Sequence, residues 1–449
     1  MSKESLNLQE TSLWKPYEKV LLRFFIIYFA LQIVPLDWKF YAQLFSINWG
    51  AFYYGDLFTL SKYTPRILSG ADNYLNWVIL GLIAAVGTVI WKSVDEKKNK
   101  QPDYDQLYYW FRVALRYRLA LGVVAYGFLK LFLLQAPFPS ISNLNTNYGD
   151  FSAWKIFTLS LGAAPVYEIF LGVVEIVAGL LLLYRNTATI GAFIILCFAG
   201  NIFLSNLAYE GGESVYSLFL TSIAFFLFLY DAPRLVNLLS QEKPTAPSTF
   251  KPVLTEKWQS TARLALKTVF IFLFVGLYGL RAYQGSQANP HNIPTTKGLS
   301  EAAGLYNVKD FVINNDTLAY STTDTVRWKD VVFEKWATIS IRSKRNLILD
   351  STNVESVAQN DLDKNYELAG SAGRHYYSYT IDSLNHTLTL TNKNKHYRNE
   401  VLVWKYERPD ANTIVVSGLN HTNDTVNVRL EKINKKYLLI EGRRKPQKL

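Results

Sequence analysis

Seven apolar stretches occupy residues 20–35, 77–91, 119–137, 166–184, 188–208, 216–230 and 264–280. A hydrocarbon core about 30 Å thick takes about 20 mostly apolar helical residues to cross, so these read as membrane spans. The second and sixth are short, but Trp77, Trp91, Tyr216 and Tyr230 at their ends fit an interfacial aromatic belt. Residues 107–118 are mixed in character, which predicts that the third helix begins in the cytosolic interface. The first run follows an acidic and polar start without a small-residue cleavage site, which argues against a cleaved signal peptide.

Basic residues give these spans a direction. Lys92, Lys97, Lys98, Lys100, Arg112, Arg116 and Arg118 lie between the second and third, and Arg185 follows the fourth. Arg234, Lys243, Lys251, Lys257 and Arg263 separate the sixth and seventh. Residues 136–160 hold only Lys155, and 209–215 hold no Lys or Arg. Basic loops stay cytoplasmic, so the pattern predicts an inward N-terminus and an outward C-terminus. Lys39, Lys62 and Arg66 in the long first outer loop are the exception. The net charge of +11 follows from this asymmetry and from a basic C-terminal run. No folded basic face of the nucleic-acid-binding kind accompanies it.

The outer loop 36–63 is rich in Trp, Tyr and Phe, which predicts a cap packed on the bundle or in the headgroup region, or a lid over an outward cavity. After Arg281 the composition changes. Residues 286–299 have linker chemistry, with Pro290, Pro294 and Gly298. Short β-branched and aromatic runs follow at 310–313, 331–333, 338–341, 374–381, 387–391, 401–406, 413–417 and 425–430. Turn residues at 382–385, 409–412 and 420–424 separate the later runs. Asn434-Lys435 suggests a tight hairpin leading to a last strand at 437–440. The mean hydropathy of +0.04 is then an average over an apolar bundle and a polar β-domain. The expected fold is a multi-pass α-helical membrane bundle followed by an all-β extracytoplasmic domain, a lipocalin-like barrel or sandwich. Its expected parts are residues 1–110, 111–235, 236–285 and 286–449.

Residues 116–130 combine a basic entry, spaced glycines and a Gly127-x-x-Lys130 end, and residues 166–183 contain Glu175-x-x-x-Gly179 before a Leu run. Two more apolar helices follow a tight turn. In these features the stretch from Phe111 to about Arg234 resembles the DoxX family of four-helix membrane proteins. The remaining spans and the β-domain resemble extended versions found in Bacteroidota-type bacteria. The resemblance implies an inner-membrane protein tied to quinone-linked redox or envelope processes. Quinone is thus the cofactor that the family suggests.

Ionisable groups within spans usually face a bundle interior or a cavity. Glu168, Gly172, Glu175 and Gly179 recur at helical spacing and share one face. By helical rise, Glu175 lies about 13 Å, Lys130 about 9 Å and Glu168 about 3 Å below the outer surface. This predicts a pairing of Lys130 with Glu175 or Glu168, with Asn201 and Asn206 adding polarity. Gly127, Gly172 and Gly179 are expected at close helix contacts. The pair can serve as a structural register pin, a proton relay or a head-group site. Arg23 is expected to snorkel, and Cys197 to be an inert packing residue. With one Cys and no His before His291, the spans offer no haem axial ligands and no metal site. His375, His386, His396 and His421 lack metal-ligand spacing and are expected at the surface.

Three functions fit: an accessory or assembly component of an envelope complex whose β-domain binds an extracytoplasmic protein partner or a ligand, a quinone-linked redox subunit without its own metal, or a transporter of a small lipophilic substrate. The expected partners are membrane lipid, a protein partner and a quinone or lipid ligand, with no nucleic acid and no autonomous catalytic residue.

Overall fold

The computed structural model describes residues 14–442 except 66, 68–72, 99–101, 246–249, 251, 253–255, 289–292, 350–357 and 359. Arg66, Lys100, Lys251, Pro290, His291 and most of the basic C-terminal run lie outside the described residues. Each of the seven apolar stretches lies on a helix: α1 (Pro16–Ile33), α4 (Tyr74–Lys98), α5 (Tyr104–Leu131), α8 (Pro165–Leu182), α9 (Ala188–Ala208), α10 (Ser214–Leu229), and α12 (Lys257–Ile271) running through a π-helical stretch into α13 (Tyr278–Ala288). Four are long and apolar enough to cross a membrane alone: α4, α8, α9 and the 31-residue run Lys257–Gln287. Two more qualify as bent pairs, α1 with α2 (Trp38–Ser46) at 43° and α10 with α11 (Ala232–Leu239) at 62°. At 28 residues α5 has the length, but Arg112, Arg116, Arg118 and Lys130 make it less apolar than these. It begins at Tyr104, before its apolar stretch, as its mixed entry predicts.

The chain divides into two compact units. One comprises residues 1–126, 175–203 and 215–279, and the other residues 127–174, 204–214 and 280–449. The boundaries fall within α5, α8 and α9. The helical unit packs Leu115, Leu119, Ala120, Leu182, Ala192, Ile223 and Ala224 into a continuous core. Its polar groups are organised rather than loose. Arg23 does not snorkel: it is buried, paired with Asp95 at 2.8 Å and hydrogen-bonded to the Tyr104 hydroxyl. Arg116 Nε donates to the Leu182 carbonyl at 2.6 Å and so satisfies an otherwise open C-terminal acceptor of α8. Residues 36–63 form two short helices, and α3 (Tyr54–Ser61) buries Tyr54, Leu57 and Phe58. Arg118 donates to the Tyr63 carbonyl at 2.7 Å, and the Tyr216 hydroxyl donates to that of Ser61 at 3.2 Å. α3 is thus packed as a cap on the bundle, whereas α2 buries no residue and leaves Trp38 and Phe45 exposed. Cys197 is exposed on α9 instead of packed.

In the second unit, β1 (Gly304–Ile313), β2 (Asp316–Thr317), β3 (Asp330–Phe333), β4 (Thr338–Arg342), β5 (Arg374–Asp382), β6 (Thr387–Asn392), β7 (Val401–Asp410), β8 (Thr413–Leu419) and β9 (Thr425–Ile433) form one antiparallel meander. β1 also pairs with β9, so every strand but the two-residue β2 joins a closed barrel of eight. Closure removes the open edges that would template aggregation. The expected strand at 437–440 is absent: β9 completes the ring, and Leu438–Glu441 forms a short helix.

The barrel interior packs Tyr306, Phe333, Ile339, Leu388, Leu390, Trp404, Val428 and Leu430. On β6, β7 and β9 burial alternates with period two, as a wall facing water on one side should. β3, β4 and most of β5 are buried on both faces. Something covers their outer surface.

Candidate functional site

The cover is the segment between α5 and α8. It contains α6 (Ile141–Leu144) and α7 (Ala153–Gly162), and α6 lies on the outer wall at β3. A helix this short leaves all its N-terminal amides open, and a barrel carboxylate takes two of them. The backbone N–H groups of Ser142 and Ile141 donate to Glu334 at 2.7 and 3.1 Å. The Ser142 and Ser340 hydroxyls share a hydrogen bond of 2.7 Å. Arg374, fully buried on β5, pairs with Asp330 at 2.6 Å and donates to the Asn145 carbonyl at 3.0 Å. Arg342 pairs with the other oxygen of Asp330 at 2.5 Å.

Further along, Phe151 and Ser371 form a β-bridge flanked by Ser152 N–H to Gly370 O and Ala372 N–H to Asp150 O, both 2.8 Å. Lys155, the one basic residue of residues 136–160, is buried and donates to the Tyr366 carbonyl at 2.5 Å. The Tyr366 hydroxyl donates to the Phe138 carbonyl at 2.5 Å. Beneath this segment lies a fully buried ion pair, Lys393 with Glu367 at 3.1 Å, and Asn143 donates to the Glu367 carbonyl at 3.2 Å. Residues 137–155 and the barrel therefore belong to one compact unit. Between this loop and the barrel the chain runs through α8, α9, the bent pair α10 and α11, and the run Lys257–Gln287.

Burial, reinforced by the nearby Glu367 carboxylate, pushes the Glu334 carboxyl up to about 7, against the pull of the Ser142 and Ile141 hydrogen bonds. Its folded value is raised, so its contribution to stability is complete below the ordinary carboxyl range and is lost as pH rises through about 7. Glu334→Gln should therefore flatten the decline in unfolding midpoint between pH 5 and pH 8, a window worth at most about 3 kcal/mol at this group. Thermal unfolding of the two proteins at both pH values checks this.

The membrane-depth residues fare unevenly. Glu168 is fully buried and accepts from the Ala136 N–H at 3.0 Å, which ties the start of α8 to the turn after α5. The Lys130 ammonium is buried and acts electrostatically on that carboxylate. A Cβ on Gly172 would lie 2.5 Å from the Leu131 nitrogen and 2.6 Å from the Gly127 carbonyl, so the glycine face is a close helix contact. In the helical unit Glu175 is buried, and a Cβ on Gly179 would meet the Val124 side chain at 2.6 Å. The two asparagines do not join a bundle cluster. Asn201 is exposed, and Asn206 accepts from the Glu213 N–H at 3.2 Å to shape the turn after α9.

A pocket opens at one mouth of the barrel, with Thr325, Val326 and His421 at its rim and Trp328, His375 and Trp404 deeper in. Its empty space is ≈ 380 Å³ with the open mouth included, and ≈ 30 Å³ suits water-sized occupants. Contrary to expectation, His375 is not a surface residue: it is 4% exposed. Burial, with the Arg345 charge nearby, pulls its imidazole down to about 4, so it is neutral at pH 7. No group of three or more His, Cys, Asp or Glu among the described residues could hold a metal ion.

Comparison with known proteins adds one relationship. The chain is 32% identical over 126 residues to the uncharacterized protein YwoB of Bacillus subtilis, covering 79% of that protein and 28% of this chain. The chain belongs to the YwoB family. The shared stretch of 126 residues is shorter than the helical region together with the barrel, so much of this chain lies beyond the relationship. No family model matches, and no solved structure matches.

Sequence reasoning missed the loop-to-barrel contacts and the buried His375. A signal for the first was present. Residues 331–333 read Val-Val-Phe, an apolar run without period-two alternation, as a strand covered on both faces has.

Proposed function

We propose that this chain is a DoxX-like inner-membrane accessory or assembly component of an envelope complex, whose extracytoplasmic barrel recognises a partner or ligand. The observation that carries this reading is the docking of residues 137–155 on the outer wall of the barrel. A barrel held to residues 137–155 by the buried Glu334 carboxylate and the buried Arg374 is a fixed recognition module. The shared YwoB stretch has the length of a compact four-helix unit, in keeping with a common membrane core to which other parts are added. The exposed Asn201 lends no support to a polar site enclosed between the spans.

Affinity purification of the full chain from its native membrane in mild detergent, followed by mass spectrometry, tests this. An envelope protein should co-purify in stoichiometric amount and be lost when Glu334 and Arg374 are both replaced by Ala. A chain that purifies alone, in a host unaffected by its deletion, contradicts the proposal.

A further inference from the structure

Five cations of the helical unit stand in one chain of mutual repulsion. Arg112 and Arg116 lie one turn apart on α5, Arg263 and Lys267 one turn apart on α12, and Arg185 in the turn after α8. The Tyr117 and Phe270 rings, 4.9 Å apart, hold α5 beside α12 at this level. The Arg112 and Arg185 charges act on Arg116, and those of Arg116 and Arg263 act on Lys267. Among the described residues, Arg112, Arg116, Arg263 and Lys267 pair with no carboxylate. Their contacts orient them without neutralising them. Arg116 Nε is spent on the Leu182 carbonyl, Arg112 lies over the Tyr230 ring at 3.3 Å, and the Lys267 ammonium lies over the Tyr184 ring at 3.6 Å. Arg112 Nε is buried without a hydrogen-bond partner. Like charges held together this way are relieved by a bound anion.

The surroundings select the kind of anion. By helical rise Lys267 lies about 15 Å along α12 from Lys257, within the run Lys257–Gln287 that is long and apolar enough to cross a membrane. Around it on α12 Leu264, Leu266 and Val269 are exposed, and Tyr184 beneath its ammonium is 57% exposed. A free phosphate ion gains nothing from such an apolar surface, whereas a phospholipid sets its phosphate and its acyl chains side by side. Basic pockets between membrane helices take anionic headgroups on these terms. We propose that the face formed by α5, the turn after α8 and α12 binds an anionic phospholipid, its phosphate held by Arg116 and Lys267 and its acyl chains lying along α12. A zwitterionic choline headgroup is disfavoured, because it carries a further cation into the cluster.

The test is native mass spectrometry of the full chain in neutral detergent, titrated with phosphatidylglycerol or with phosphatidylcholine of the same acyl chains. Phosphatidylglycerol should be retained at least about tenfold more tightly, and each cation removed should weaken it by about fivefold. Lys267→Gln and Arg263→Gln are the variants to use, since neither side chain makes a hydrogen bond within the fold, whereas Arg116 also closes the end of α8. Lys267→Arg, which keeps the charge, should retain the lipid. Lys309→Gln removes an exposed cation of the barrel and should change nothing. An excess of inorganic phosphate should leave the lipid bound. The idea fails if phosphatidylcholine is retained as well, if Lys267→Gln binds undiminished, or if Lys309→Gln loses as much. It fails too if inorganic phosphate displaces the lipid, which would mark a site for the free anion.

Discussion

Lys393→Met is expected to destabilise the barrel unit by about 3–5 kcal/mol, the usual consequence of stranding one member of a buried ion pair. Both side chains of the Lys393–Glu367 pair are fully buried. Without the ammonium, Glu367 would keep its hydrogen bond from the Trp336 indole, but its charge would face Glu334 with no counter-ion. Replacing both partners, Lys393→Met with Glu367→Gln, should recover most of the loss, because an apolar side chain beside a neutral amide leaves no buried charge. Denaturant unfolding of the purified proteins, followed by limited proteolysis within residues 360–400, measures the difference. Equal stability of the single variant and the parent would show that the pair is reached by water.

Gly172→Ala should be the most damaging small change in the membrane region. Its new methyl would meet backbone atoms, the Leu131 nitrogen and the Gly127 carbonyl, which no rotamer change can move aside. Overpacking costs about 1–3 kcal/mol where side chains can yield, and here the helices themselves must separate, so a loss of about 3 kcal/mol is expected. Gly81→Ala supplies the control: nothing lies within 4 Å of its Cβ position. That substitution should be neutral or stabilising by up to about 1 kcal/mol, since alanine restricts the unfolded helix. Thermal midpoints in detergent, together with membrane expression levels, should separate the two glycines clearly.

Where local pattern decides structure, the sequence was readable. Apolar length set the helices, and period-two alternation placed the first residues of β6, β7 and β9, though β7 and β9 run three to four residues further than expected. The glycine face at 172 and 179 followed from helical spacing alone. What escaped was set by contacts distant in sequence. The double-sided burial of β3 and β4 comes from residues about 190 positions away, through Ser142 to Glu334 and Ser340. Arg23 looked like a snorkelling cation because its partners, Asp95 and Tyr104, sit 72 and 81 residues further on. His375 looked like a surface residue because its strand alternates poorly, both of its faces being covered. At 437–440 the apolar Leu-Leu-Ile run suggested a strand, but the barrel had already closed between β1 and β9.

The central claim is that the loop before α8 and the barrel form one unit on one side of the membrane. Cysteine cross-linking tests it most directly. Cys197 is the chain's sole cysteine, so Cys197→Ser gives a clean background. In that background Ser142→Cys with Ser340→Cys, whose hydroxyls lie 2.7 Å apart, should form a disulfide in intact membranes under mild oxidation. Protease cleavage within residues 286–299 should then leave the barrel attached to the helical region until reductant is added. Release of the barrel without reductant would contradict the account.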